Sequence, residues 1–183
     1  MIKTFKLVAC AAVIGSIAST GFAQTMAPGT PANPQQATVK ATVPSTADFL
    51  GKAAVGNKFE IDSSKLALDK SKSEPVRAFA NMMVKDHGEA ASKMKQAVAD
   101  AKLAAPADAL DAKHQALLDD LARKEGAPFD MAYLDAQLKG HEETVALFKA
   151  YADGGDNARI KQFAKELLPT LQKHLAQVRK LKA

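Results

Sequence analysis

The chain has 183 residues, 47% hydrophobic and 25% charged, with a formal net charge of +5 and one cysteine. A single cysteine excludes a disulfide framework within the chain, and so small a positive excess gives no support for a nucleic-acid partner. The apolar content is enough for one domain with a real core.

The N-terminus reads MIKTFKLVACAAVIGSIASTGFAQ. Lys3 and Lys6 precede an apolar run from Leu7 to about Ala18, and Gly21 and Ala23 place small residues before Gln24. These are the three parts of a signal peptide over residues 1–23, which predicts an exported protein, periplasmic or secreted. The run is shorter than the roughly 20 residues that span a bilayer, which argues against a membrane anchor. An alternative is lipid attachment at Cys10, because Leu7-Val8-Ala9-Cys10 resembles a lipobox. Cleavage before Gln24 removes both lysines and the cysteine, lowering the formal charge from +5 to +3. Any metal site in the remainder then uses nitrogen and oxygen ligands, or methionine sulfur. No later segment is long and apolar enough to cross a membrane.

Residues 24–44 are rich in Pro, Ala, Thr and Gln, and the composition predicts a disordered spacer. From Ser45 to the C-terminus the pattern is helical throughout, with no strand-like alternation. The first long helix is expected from about Thr46 to Lys70, capped by Ser45 or Thr46. The second opens at Ser73-Glu74-Pro75 and runs to about Leu103, where Ala104-Ala105-Pro106 breaks it. A shorter helix covers about Asp108 to Lys124. The third long helix runs from Phe129 to about Ala152 and is stopped by Gly154-Gly155. The fourth, capped by Asp156 or Asn157, runs to the C-terminus with Pro169 as a point of bending. Two tight turns and a longer middle segment predict an all-α, four-helix bundle of two antiparallel pairs, with the shorter helix in the crossover, over residues 45–183.

Each long helix carries one ionisable group on its apolar face. Leu134, Leu138, His141, Val145 and Phe148 form the stripe of the third. The second gives Val76, Ala80, Met83, His87, Ala90 and Met94, and the fourth gives Leu167, Leu171, His174 and Val178. On the first, Glu60 shares a face with Phe49, Ala53 and Gly56. Buried groups of this kind need a partner or a metal, and imidazole with carboxylate is a ligand set for Fe, Cu, Zn or Mn. The candidate ligands are Glu60, His87, His141 and His174, with Asp86 as ligand or as partner to one. Glu60 and His87 match in height along the bundle. His141 and His174 are expected to differ by roughly 9 Å unless Pro169 or the turn shortens the path. His114 also falls on a stripe, so stripe position alone does not select ligands.

The strings Phe79-Ala80-x-x-Met83-Val84-x-Asp86-His87, Phe129-Asp130-x-x-Tyr133 followed by His141, and Phe163-Ala164 leading to Leu168-Pro169-x-Leu171-x-x-His174-Leu175 resemble the bacterial family called domain of unknown function 4142. The resemblance spans about residues 45–181 and implies an exported, ferritin-like bundle with Asp86, His87, His141 and His174 at the family's motif positions. It implies no activity. Members are often labelled outer-membrane proteins, but this chain lacks barrel-type alternation, so any such association is expected to be peripheral. Ferritin-like di-iron sites use Glu-x-x-His, and here Val84, Leu138 and Leu171 stand three residues before the histidines. That departure disfavours di-iron oxidase or ferroxidase chemistry, and no motif for nucleophilic catalysis is present.

The sequence therefore supports an exported bundle that binds a transition metal through buried His and carboxylate groups. The alternative is a non-catalytic envelope or stress protein whose polar core groups only fix helix register. A carrier of a small ligand between the helices is a third reading. Lys173, Arg179, Lys180 and Lys182 would favour the end of the last helix or touch anionic envelope components.

Overall fold

The computed structural model describes residues 42–183. The expected signal peptide and the expected spacer up to residue 41 lie outside the described residues. Five helices make up the described part: α1 (Thr46–Lys70), α2 (Glu74–Asp100), α3 (Ala112–Ala122), α4 (Gly126–Gly154) and α5 (Ala158–Lys182). The fold is all-α, and no described residue is in a strand.

Helix starts follow local chemistry. Ser45 Oγ accepts from Asp48 N–H at α1, Asp111 Oδ1 from His114 N–H at α3, and Asn157 Oδ1 from Arg159 and Ile160 N–H at α5. Each satisfies backbone donors that have no partner in a first turn. Three boundaries differ from expectation by three residues or more. α2 ends at Asp100 rather than near Leu103, because Lys102 turns into the left-handed region (φ 55°) and the Lys102 and Leu103 amides bond back to Ala99 and Val98. α3 begins at Ala112 rather than Asp108, since Asp111 supplies the cap. α4 begins at Gly126 rather than Phe129. Its φ of 58° suits glycine, and Pro128 falls in the first turn, where no N–H is missed. α5 continues through Pro169.

Each long helix packs on two others, so the order around the bundle is α1, α2, α5, α4. At one end Thr46 Oγ1 and Tyr151 Oη lie 2.5 Å apart, joining the start of α1 to the end of α4. At the other, Lys70 pairs with Glu125 just before α4. α1 and α4 are therefore antiparallel, and the segment carrying α3 returns along the bundle before α4 starts. α3 packs outside, on α1 and α4, and only its Leu121 is buried.

The core has two apolar clusters. Phe49, Met94, Phe148, Tyr151 and Phe163 belong to one, and Phe59, Phe79, Met83, Phe129 and Tyr133 to the other. Along α2, α4 and α5 the chain passes from one cluster to the other at His87, His141 and His174, all buried. Among the described residues no helix is long and apolar enough to cross a membrane.

Candidate metal centre

His87, His141 and His174 come from three different helices and meet in the middle of the core. Their ring centroids form a nearly equilateral triangle, 5.7 Å from His87 to His141, 5.4 Å from His87 to His174 and 5.5 Å from His141 to His174. One ring nitrogen of each lies within 4.8 Å of one from each of the others. None of the three is more than 4% exposed, so water does not supply the missing hydrogen-bond partners cheaply.

Each ring is held at one nitrogen and free at the other. His87 Nδ1 lies 3.0 Å from Asn57 Oδ1, and Asn57 Nδ2 donates to the His87 carbonyl at 3.1 Å. That second bond fixes which end of the amide is oxygen, so His87 Nδ1 must be the donor. His141 Nδ1 faces the Gln137 carbonyl at 2.9 Å, and His174 Nε2 faces Asp86 Oδ2 at 2.9 Å. A carbonyl only accepts, as does an ionised carboxylate, so each ring carries its proton on the held nitrogen. The lone pair then falls on His87 Nε2, His141 Nε2 and His174 Nδ1, and all three are buried without a partner.

Electrostatics favour the neutral form of His87 and His174. Burial pushes the His87 pKa well below the ordinary histidine value, with repulsion from His141 and His174 adding to it. Burial also lowers His174, against the opposing pull of its hydrogen bond to Asp86. Neutral imidazole with a held N–H is the form that binds a metal, and the outer partner sets the ring's direction. Ring nitrogens within 4.8 Å of one another reach one ion, at metal–imidazole bonds of about 2 Å, with shifts of under about 1 Å each. The residues present fit a transition-metal ion.

Of the two carboxylates expected at the site, Asp86 is partner to a histidine and Glu60 stands at a held nitrogen. Asp86 holds His174 from behind and is partly exposed. Glu60 Oε1 comes within 3.7 Å of His141 at Nδ1, the nitrogen already bonded to Gln137, while Glu60 Oε2 has no partner. Burial raises the Glu60 pKa, countered in part by His141 and Gln137. His114 is apart from the cluster, paired with its own cap Asp111 at 2.7 Å. The expected offset of roughly 9 Å between His141 and His174 is not found. His141 stands 13 residues before the end of α4 and His174 16 after the start of α5, so the turn at 155–157 adds no height. Those three residues' difference is only about 4.5 Å.

Asn57 and Gln137 were not legible as site residues. Asn57 lies three positions before Glu60 on α1 and is distinguishable only once α2 is docked beside it. Gln137 contributes its carbonyl, which any residue at that place would supply.

Further along α1 and α4 a polar seam continues from the site. Gln137 Nε2 donates to Ser63 Oγ at 3.2 Å, and Ser64 Oγ lies 2.8 Å from Tyr133 Oη. No curated protein and no solved structure matches the chain. A family model does match, over residues 30–181, a span that includes the three histidines. The chain belongs to the family described as domain of unknown function (DUF4142).

Proposed function

We propose that this is an exported envelope protein whose bundle binds one transition-metal ion through His87 Nε2, His141 Nε2 and His174 Nδ1. The observation that carries the reading is the set of three buried lone pairs, each fixed in its tautomer by a partner on the opposite nitrogen. Three imidazoles suit zinc, copper or iron, whereas manganese prefers oxygen. Three protein ligands also leave a coordination position open. Export rests on the signal-like pattern of residues 1–23, and a periplasmic protein whose first residue is Gln24 would accord with it.

The competing reading is a bundle held in register by its polar groups. The Asn57–His87 and Asp86–His174 bonds, which tie α1 to α2 and α2 to α5, favour it. It accounts for one nitrogen of each ring and leaves the other three without a role. Titration of chelator-stripped protein with Fe(II), Cu(II), Zn(II) and Mn(II) separates the two. The metal reading expects micromolar or tighter binding of zinc, copper or iron, weakened at least about 100-fold by His87→Ala, His141→Ala or His174→Ala. Absence of micromolar binding, or a triple variant that binds as before, sinks it.

A further inference from the structure

A cavity of about 690 Å³ opens between α1 and α4, beside the N-terminal end of α3, and Glu60 lines it. Glu60 is 5% exposed, and its Oε2 has no hydrogen-bond partner. The same carboxylate comes within 3.7 Å of His141 by its other oxygen, so it stands between the cavity and the histidine cluster. Asp48, Asp111 and Glu143 also line the cavity, together with Lys52 and Lys113, and Lys113 pairs with Glu143 at 3.7 Å. Gly51, Gly56 and Gly140, all inside helices, belong to its wall. Glycine weakens a helix interior relative to alanine, so three of them on one wall call for a reason. At Gly140 the reason is visible, since a Cβ there would lie 3.0 Å from Glu60 Oε1. At Gly56 a Cβ would meet only Thr144 Oγ1, at 3.8 Å, and a larger side chain would project into the wall.

We infer that this cavity is the route by which a divalent cation reaches the three histidines, with Glu60 as the transfer ligand at its inner end. The inference rests on the metal-binding reading above. A buried carboxylate oxygen without a partner exchanges ligands with an incoming hydrated cation. Glu60 then passes the ion to imidazoles, which hold soft and borderline metals better than one carboxylate does. Its role is kinetic: it shortens the passage without setting the final affinity.

The test is stopped-flow uptake of Co(II) by the chelator-stripped protein, read from the cobalt absorption bands, with the equilibrium constant measured beside it. Gly56→Leu and Thr144→Leu narrow the cavity from opposite helices, and Glu60→Gln removes the charge at nearly constant shape. All three are expected to slow uptake at least about tenfold while the equilibrium constant stays within about threefold. Ala91→Leu, in the separate cavity between α1 and α2, is expected to leave the rate unchanged. Circular dichroism checks that each variant is folded, and the two narrowing variants back each other up. Unchanged uptake rates with normal binding overturn the route alone. A large loss of equilibrium affinity in Glu60→Gln with altered cobalt bands also overturns it, by making Glu60 a resident ligand. Failure of the unaltered protein to bind Co(II) at equilibrium removes the metal reading and the route together.

Discussion

The apolar clusters and the histidine layer between them are built on opposite terms. In the cluster around Phe49, the rings of Phe148, Tyr151 and Phe163 pack edge-on, stacked or tilted at centroid distances of 4.2 to 6.5 Å. Every group there gains by leaving water, roughly 1.5–3 kcal/mol for each large side chain. In the layer, three imidazoles and Glu60 are taken out of water and four of their polar atoms are left unpaired. Such atoms cost folding energy, of the order of 1–3 kcal/mol each. The clusters account for why the bundle folds. The layer forms at a cost to stability.

The widest separation between the two regions should come from truncation in one and apolar replacement in the other. Phe163→Ala, at a residue 1% exposed, should destabilise the chelator-treated protein by about 3–5 kcal/mol through lost contacts and a residual cavity. His87→Leu is of similar volume and removes one unpaired nitrogen, and Asn57, only half-buried, can turn to water. Its stability without metal should stay within about 1 kcal/mol of the original, or rise. Urea denaturation of both variants decides this. A loss of several kcal/mol in His87→Leu would mean that the layer, like the clusters, holds the fold together.

A smaller effect is expected behind the layer. Asp86 touches no unpaired nitrogen but fixes the tautomer and direction of His174. Asp86→Asn should weaken zinc binding by about 10–100-fold while leaving the stability of the metal-free protein nearly unchanged, because the site is partly exposed. Competition against a chelating dye measures the first and urea denaturation the second. Equal loss in both would make Asp86 a structural partner only.

Much of this arrangement was readable from the chain because period and punctuation are local. Ser45, Asn157 and Gly155 mark helix ends through bonds made within a turn of the residue itself, and Pro75 marks one by lacking a donor where none is needed. The stripes through His87, His141 and His174 pointed to the interior for the same reason. What the pattern could not separate was His114 from the other three, although all four lie on stripes. The difference is tertiary: α3 packs on the outside of the bundle, where Asp111 can hold the His114 ring. Height along the axis was misjudged for a related reason, since turn residues count in sequence but not in rise. Glu60 illustrates the remaining limit. Its burial was foreseen, but whether a carboxylate faces the free or the held nitrogen of a neighbouring ring depends on angles set by packing.

The smallest effect is one of pH, and it distinguishes the layer from the clusters because only the layer has groups that titrate near pH 6. His87 and His174 have folded pKa values below the ordinary 6.5, chiefly through burial. As pH falls below 6.5 the unfolded chain takes up protons at these rings and the folded one does not, so stability falls with pH down to the folded values. Glu60 acts in the opposite sense. Its raised pKa lets the folded state keep a proton that the unfolded state releases above 4.5, so its contribution is full below 4.5 and is lost as pH rises to the folded value. For the chelator-treated protein this predicts falling stability between about pH 6.5 and 5.5, at up to about 1.4 kcal/mol per pH unit for each histidine. Replacing His87 by Leu should remove about one proton's share of that slope, whereas Phe163→Ala should shift the whole curve downward and leave its slope alone. Urea denaturation at half-unit steps of pH measures both. Parallel curves for His87→Leu and the original chain would show that His87 takes up its proton as readily in the folded core as in the open chain, and the neutral, ligand-ready form assigned to it would then be wrong.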